Sequence, residues 1–106
     1  MRAPSLTELS RLDDAAFRTL FTKSPVKRIG RTRFIRNVLI AIGNADDPSL
    51  AAEAERLLGD ESPLVRGAAV WALSQLMDER QFSALASKSF SDEPDETVRA
   101  EWASAK

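Results

Sequence analysis

Lys27, Arg28, Arg31, Arg33 and Arg36, followed at once by Asn37, crowd into a stretch of 11 residues. Guanidinium forks match pairs of phosphate oxygens and can lie flat on unpaired bases, while a lysine ammonium acts as a point charge. A cluster of this kind can neutralise several phosphates of a nucleic acid, and the Asn37 amide can hydrogen-bond an exposed base. The surroundings strengthen the signal. Between Ala15 and Ala45 stand seven basic residues (Arg18, Lys23, Lys27, Arg28, Arg31, Arg33, Arg36) and no Asp or Glu, in a chain whose net charge is only −1. From Asp46 onward there are 13 acidic residues against 6 basic ones, so charge is polarised along the sequence and the acidic half reads as solvated surface. The competing reading pairs some of these cations with carboxylates, either those of another protein domain or Asp46, Asp47, Glu53 and Glu55.

Other chemistries are narrowed by what is missing. The 106 residues include no cysteine and no histidine, which removes disulfides, thiolate-bound metals or clusters, and Cys or His nucleophiles, bases and ligands from this chain. A site of Ser, Lys or carboxylates remains open, yet Ser87, Ser89 and Ser91 stand near a turn with no base beside them. No catalytic constellation is visible, and the chain alone is expected not to be an enzyme. No apolar run approaches the roughly 18 residues that span a bilayer, and the N-terminus lacks a signal-like apolar segment, so a cytoplasmic chain with no membrane partner is expected.

Helices must position the basic cluster. At about 100° per residue, Phe34, Ile35, Val38, Leu39 and Ile42 share one side of a helix ending at Gly43-Asn44, and Arg33, Arg36 and Asn37 share the other. Ile40 falls among the polar group, which predicts a second neighbour for the C-terminal half. Arg31 projects toward the apolar side by angle and can instead tie down the loop before it. Gly30 allows a sharp bend at the helix start, and Gly43-Asn44 reads as a left-handed cap at its end. Upstream, Leu6, Leu9 and Leu12 mark a short helix with Ser5 as N-cap. Asp13 then caps a second helix through Phe21, with Ala16, Phe17, Leu20 and Phe21 as its buried stripe. Downstream, Asp47-Pro48 and Ser62-Pro63 are helix starts. The first opens a helix to Gly59 with Leu50, Ala51, Ala54, Leu57 and Leu58 inside; the second runs to about Met77 on Leu64, Val65, Ala68, Ala69, Ala72, Leu73 and Leu76. Phe82, Leu85 and Ala86 mark a shorter helix, and the last runs from about Pro94 to Ala105. Nothing alternates with period two over strand length, so the fold class is all-α.

The sequence also echoes itself. Val65-Arg66-Gly67-Ala68 returns as Val98-Arg99-Ala100-Glu101, offset by 33, each after an acidic turn containing proline, and Ile35-Arg36-Asn37-Val38 is a weaker copy upstream. Such a period with paired helices predicts an α-solenoid. The run from Asp60 to Leu73, D-E-S-P-L-V-R-G-A-A-V-W-A-L, resembles a HEAT-like repeat. That resemblance makes Arg66 and Arg99 structural, facing the preceding turn and paired with acids of neighbouring repeats. Trp71 and Trp102 are then core or inter-repeat packing, with base stacking as the alternative.

A longer string, S-P-V-K-R-I-G-R-T-R-F-I-R-N from Ser24 to Asn37 within Leu12 to Asn44, resembles the C-terminal part of the bacterial epoxyqueuosine reductase family. The resemblance implies a HEAT-like α-solenoid of about six to seven short helices. N-terminal helices would occupy 1–23, the basic loop and central helix 24–44, and HEAT-like repeats 47–106, together one domain of a longer polypeptide. It further implies that the parent is an oxidoreductase completing queuosine in tRNA with cobalamin and two 4Fe-4S clusters, held N-terminal to this region. This chain would hold no cofactor. Its expected partners are the anticodon region of tRNA, through Lys27, Arg28, Arg31, Arg33, Arg36 and Asn37, and the catalytic domain. The alternative is a HEAT-repeat scaffold for protein–protein interaction.

Overall fold

Serine, aspartate and proline decide where the helices begin. The structure, a computed structural model, describes residues 5–20 and 30–104, without the side chains of Asp14 and Leu20. Ser5 opens α1 (Leu6–Ser10) by accepting the Glu8 N–H at 3.1 Å. Asp13 opens α2 (Asp14–Leu20) by accepting the Ala16 N–H at 2.7 Å. Gly30, with φ +78°, begins α3 (Gly30–Asn44), a backbone angle that costs glycine nothing. Asp47 caps a short 3-10 turn at Pro48–Leu50, which leads into α4 (Ala51–Leu57). Pro63 is the first residue of α5 (Pro63–Leu76). A reciprocal capping box between Asp78 and Gln81 starts α6 (Glu79–Ser89), and Asp95 accepts the Thr97 and Val98 N–H groups at the start of α7 (Glu96–Ser104). Among the described residues there is no strand, and no helix is long and apolar enough to cross a membrane. The fold class is all-α and solenoid-like, as the periodicity predicts.

Helices α3, α5 and α7 lie side by side in that order, with α3 packed most extensively on α5. Helices α4 and α6 pack against α5, while α1 and α2 lean on α3. The core is a layer of Ile35, Leu39 and Ile42 from α3, Ala54 and Leu57 from α4, and Val65, Ala69, Ala72 and Leu73 from α5, all at or near zero exposure. Phe82 of α6 and Trp102 of α7 close the far end with ring centroids 5.4 Å apart, and Phe17 of α2 meets Phe34 of α3 at 5.3 Å. Trp102 is thus core.

The N-terminal helix is held by charge as well as by its leucines. Glu53 on α4 is buried, accepting from Arg11 Nε at 3.1 Å, Ser10 Oγ at 3.1 Å and Arg56 Nε at 3.3 Å. The Arg11 hydrogen bond, against the opposing effect of burial, keeps the Glu53 carboxyl below its ordinary range. Five residues of helix are too few to persist alone, so this clasp and the packing of Leu6 and Leu9 hold α1 in place.

Several expectations need correction. Gly43 is not a cap: it is buried inside α3, and the left-handed residue is Asp46, φ 56°. The reason is steric. The Trp71 indole lies against Gly43 so closely that a Cβ there would collide with Cζ3 and stand 3.1 Å from Cε3 and Cη2. Leu64, placed by spacing in the buried stripe, is 44% exposed because it faces a groove that neither α4 nor α6 covers. Ala16 is exposed, since only the Phe17 side of α2 meets α3, and Phe21 falls outside the described residues.

Gly43→Ala tests the close approach. Alanine gains about 1 kcal/mol of helix propensity, but overpacking costs about 1–3 kcal/mol, so we expect net destabilisation on the order of 1 kcal/mol with displaced indole emission. Urea unfolding followed by tryptophan fluorescence reads both. A variant that is more stable than wild type with unchanged emission would show the contact to be loose.

Candidate nucleic-acid interface

The basic residues of α3 divide into two groups. Arg31 is turned inward: its Nε donates to the Leu12 carbonyl at 2.7 Å and its Nη2 to Asp60 Oδ1 at 2.8 Å, with the side chains 16% and 9% exposed. It therefore links the end of the N-terminal segment, α3 and the α4–α5 turn. Arg33, Arg36 and Asn37 are exposed together, on the face opposite Ile35, Val38, Leu39 and Ile42. Neither Arg33 nor Arg36 makes a hydrogen bond or ion pair with another described residue. Lys27 and Arg28 lie outside the described residues.

The Arg31–Asp60 contact is the first rung of a repeated device. Asp60 Oδ2 accepts the Ser62 N–H at 3.0 Å, and the Asp60 carbonyl accepts from Arg66 Nη1 at 2.9 Å. Arg66 then reaches forward, Nε and Nη2 to the two Glu93 carboxylate oxygens at 2.8 and 3.0 Å. Glu93 repeats the arrangement of Asp60 at an offset of 33. Its Oε2 accepts the Asp95 N–H at 2.8 Å, and its carbonyl accepts from Arg99 Nη1 at 2.8 Å. Each turn acid thus binds the arginine of the preceding repeat through its carboxylate and the arginine of its own repeat through its carbonyl. Arg66 has both contacts expected of it. Arg99 faces the preceding turn as expected, but reaches that turn's backbone rather than a carboxylate. None of Asp46, Asp47, Glu53 and Glu55 pairs with the described basic residues of α3; sequence reasoning missed Asp60, whose only signal is its place in the repeated acidic turn.

These contacts fix the charge state of the turns. For Asp60, burial favours the neutral acid, but the Arg31 hydrogen bond and the Ser62 N–H outweigh it and leave the carboxyl below its usual range. Glu93 behaves likewise: burial opposes, while Arg66 and the Asp95 N–H prevail. Asp95 is lowered chiefly by the Val98 N–H and then, against burial, by the Thr97 side chain and N–H.

Between α3, α5 and α7 runs a groove of about 600 Å³. Ile40, Leu64, Ala68 and Trp71 contribute its apolar lining, Arg36 stands on the α3 side and Glu101 on the α7 side. Ile40 lines this uncovered groove instead of packing on the second neighbour that its place among polar residues predicts. Arg36 belongs both to the open face of α3 and to the groove.

The joint at Arg66 makes two outcomes measurable. Glu93→Ala leaves a mostly buried guanidinium without its carboxylate and should cost about 3 kcal/mol in chemical unfolding. Carboxyls lowered in the folded state stabilise it above their unfolded values and lose that contribution as pH falls. With no histidine, the melting temperature should stay level from about pH 5 to 8 and drop below about pH 4.3, toward the lowered values of Asp60, Glu93 and Glu53. A melting temperature that holds steady through pH 3 would contradict the pairing.

A family model described as HEAT repeats matches residues 31–105, from the start of α3 through α7. The chain is 35% identical over 81 residues to the epoxyqueuosine reductase of Shigella dysenteriae serotype 1 and 33% identical over 81 residues to that of Escherichia coli K12. Both alignments cover 76% of this chain and 21% of the relative. The epoxyqueuosine reductase of Xanthomonas campestris pv. campestris is 38% identical over 74 residues, covering 67% of this chain and 20% of the relative. The chain spans about a fifth of the length of these curated relatives. No solved structure matches it. By the match of residues 31–105 and by the repeated turn geometry, the chain belongs to the HEAT-repeat family.

Proposed function

We propose that this chain is the tRNA-binding accessory part of an epoxyqueuosine reductase, an enzyme acting at the last step of queuosine synthesis in tRNA. One observation carries the RNA reading. Arg11, Arg31, Arg56, Arg66 and Arg99 are all bound to carboxylates or carbonyls within the chain, whereas Arg33 and Arg36 stand open on one face of α3 beside Asn37. Guanidinium groups without internal acceptors are the ones free to take phosphate oxygens. Lys27 and Arg28, just before α3 in sequence, complete the proposed surface, and Arg31 orients the helix that carries it. The anticodon region is the proposed target, because unpaired bases there offer edges to the Asn37 amide.

The reduction itself is assigned to another part of the longer polypeptide. With no cysteine in the sequence, these residues do not fit an iron–sulfur cluster, and no step through a cluster or cobalamin is placed on them. In this reading the chain contributes positioning: it holds tRNA while the catalytic domain, its second proposed partner, acts.

A scaffold for protein docking is the second reading, favoured by the exposed Leu64 in an uncovered groove. Salt separates the two. If roughly four phosphates are neutralised, log affinity for a tRNA with a queuosine-type anticodon should fall against log salt with a slope of about −3 to −4. Arg33→Ala with Arg36→Ala should remove about 1.5 from that slope while the melting temperature stays unchanged. Absence of wild-type binding, or an unaltered slope in the folded variant, would move the chain to the scaffold reading.

A further inference from the structure

The groove beside Arg36 has a polarity that the open face of α3 lacks. One wall ends in the Arg36 guanidinium; the other ends in the Glu101 carboxylate, which no described residue engages; between them Leu64 and the half-buried Trp71 are left uncovered. A volume of about 600 Å³ falls in the size class of small-ligand sites, which combine an apolar lining with a few convergent polar groups. A continuous duplex does not enter such a space. A single base turned out of a strand does.

Resting on the RNA reading above, we propose that this groove receives one unstacked nucleobase of single-stranded RNA, its phosphate on Arg36 and an exocyclic amine of its edge on Glu101. Arg36 supplies the continuity. A strand tracking Arg33 and Arg36 along α3 reaches the groove mouth at Arg36, so the nucleoside attached to that phosphate is the one next to the apolar lining. Trp71 is held in place by its seat on Gly43, giving the base a fixed aromatic neighbour. The opposite charges of the walls set the direction: phosphate is repelled from the Glu101 side, and only a donor edge is attracted there. Cytosine meets that requirement with its N4 amine, as do other amino-bearing bases; uracil has no exocyclic amine, and its N3–H donor lies between two carbonyl acceptors that repel the carboxylate, so it is disfavoured.

Gly67 gives a way to fill the site without disturbing the core. A Cβ there meets nothing closer than Val98 Cγ2 at 4.0 Å, and methionine is the better helix former, so Gly67→Met should fold at least as stably as wild type. The test uses the whole chain with oligocytidylate and oligouridylate of about nine nucleotides, titrated against salt, with melting curves as the folding control. Wild type should prefer oligocytidylate by about tenfold, Glu101→Gln should erase the preference, and Gly67→Met should weaken both by about tenfold while the salt slope stays as in wild type. Equal wild-type affinity for the two strands, with no effect of Gly67→Met, would overturn the groove and leave the phosphate face of α3 standing. Failure of wild type to bind either strand, or tRNA, would overturn both.

Discussion

Arg66 is the joint on which the fold turns. Its guanidinium holds the Asp60 and Glu61 carbonyls of the turn behind it and the Glu93 carboxylate of the turn ahead, so one side chain spaces two consecutive repeats. Hydrophobic burial supplies most of the driving force, with Val65, Ala69 and Leu73 fully enclosed, but apolar contact is non-directional. What it leaves undetermined is the register of one helix pair against the next. A forked, charge-assisted contact at each turn sets that register, and Arg31 on Asp60 and Arg99 on the Glu93 carbonyl extend it in both directions.

The exposed chemistry follows from this. Because Arg31 points into the α4–α5 turn, the rotation of α3 about its axis is fixed, and residues at two, five and six positions further on must face solvent. Those are Arg33, Arg36 and Asn37. The same packing places α5 and α7 beside α3 without a covering helix over Leu64, which opens the groove at Arg36. Structural and open arginines sit within about one and a half turns of each other on one helix, and the acceptors within reach of each tell them apart.

Much of this architecture is legible in the chain. Helix starts at Ser5, Asp13, Asp47 and Pro63 depend on local backbone chemistry, and local chemistry is what a sequence displays. The apolar side of α3 could be read by angle for the same reason. The recurrence of Val65-Arg66 as Val98-Arg99 exposes the repeat, and with it the arginines that face their preceding turns. What resists reading is contact across repeats. Nothing near Gly43 reveals that Trp71, 28 residues later, needs its missing side chain, so the glycine looks like a cap. Leu64 keeps the spacing of the buried stripe, and only the absence of a covering element leaves it outside. Glu53 reads as one more surface acid until Arg11, more than 40 residues earlier, is brought to it.

Two classes of arginine coexist on α3: Arg31 builds the repeat stack, and Arg33 and Arg36 stand exposed, where we propose that they meet a polyanion. The most direct measurement sets Arg31→Ala beside Arg36→Ala, recording melting temperature and the salt slope of tRNA binding for each. We expect a crossover: Arg31→Ala melts several degrees lower with its slope intact, and Arg36→Ala melts like wild type with a slope shallower by about 1. A stable Arg31→Ala with a shallower slope, or an unstable Arg36→Ala with an unchanged one, would contradict it.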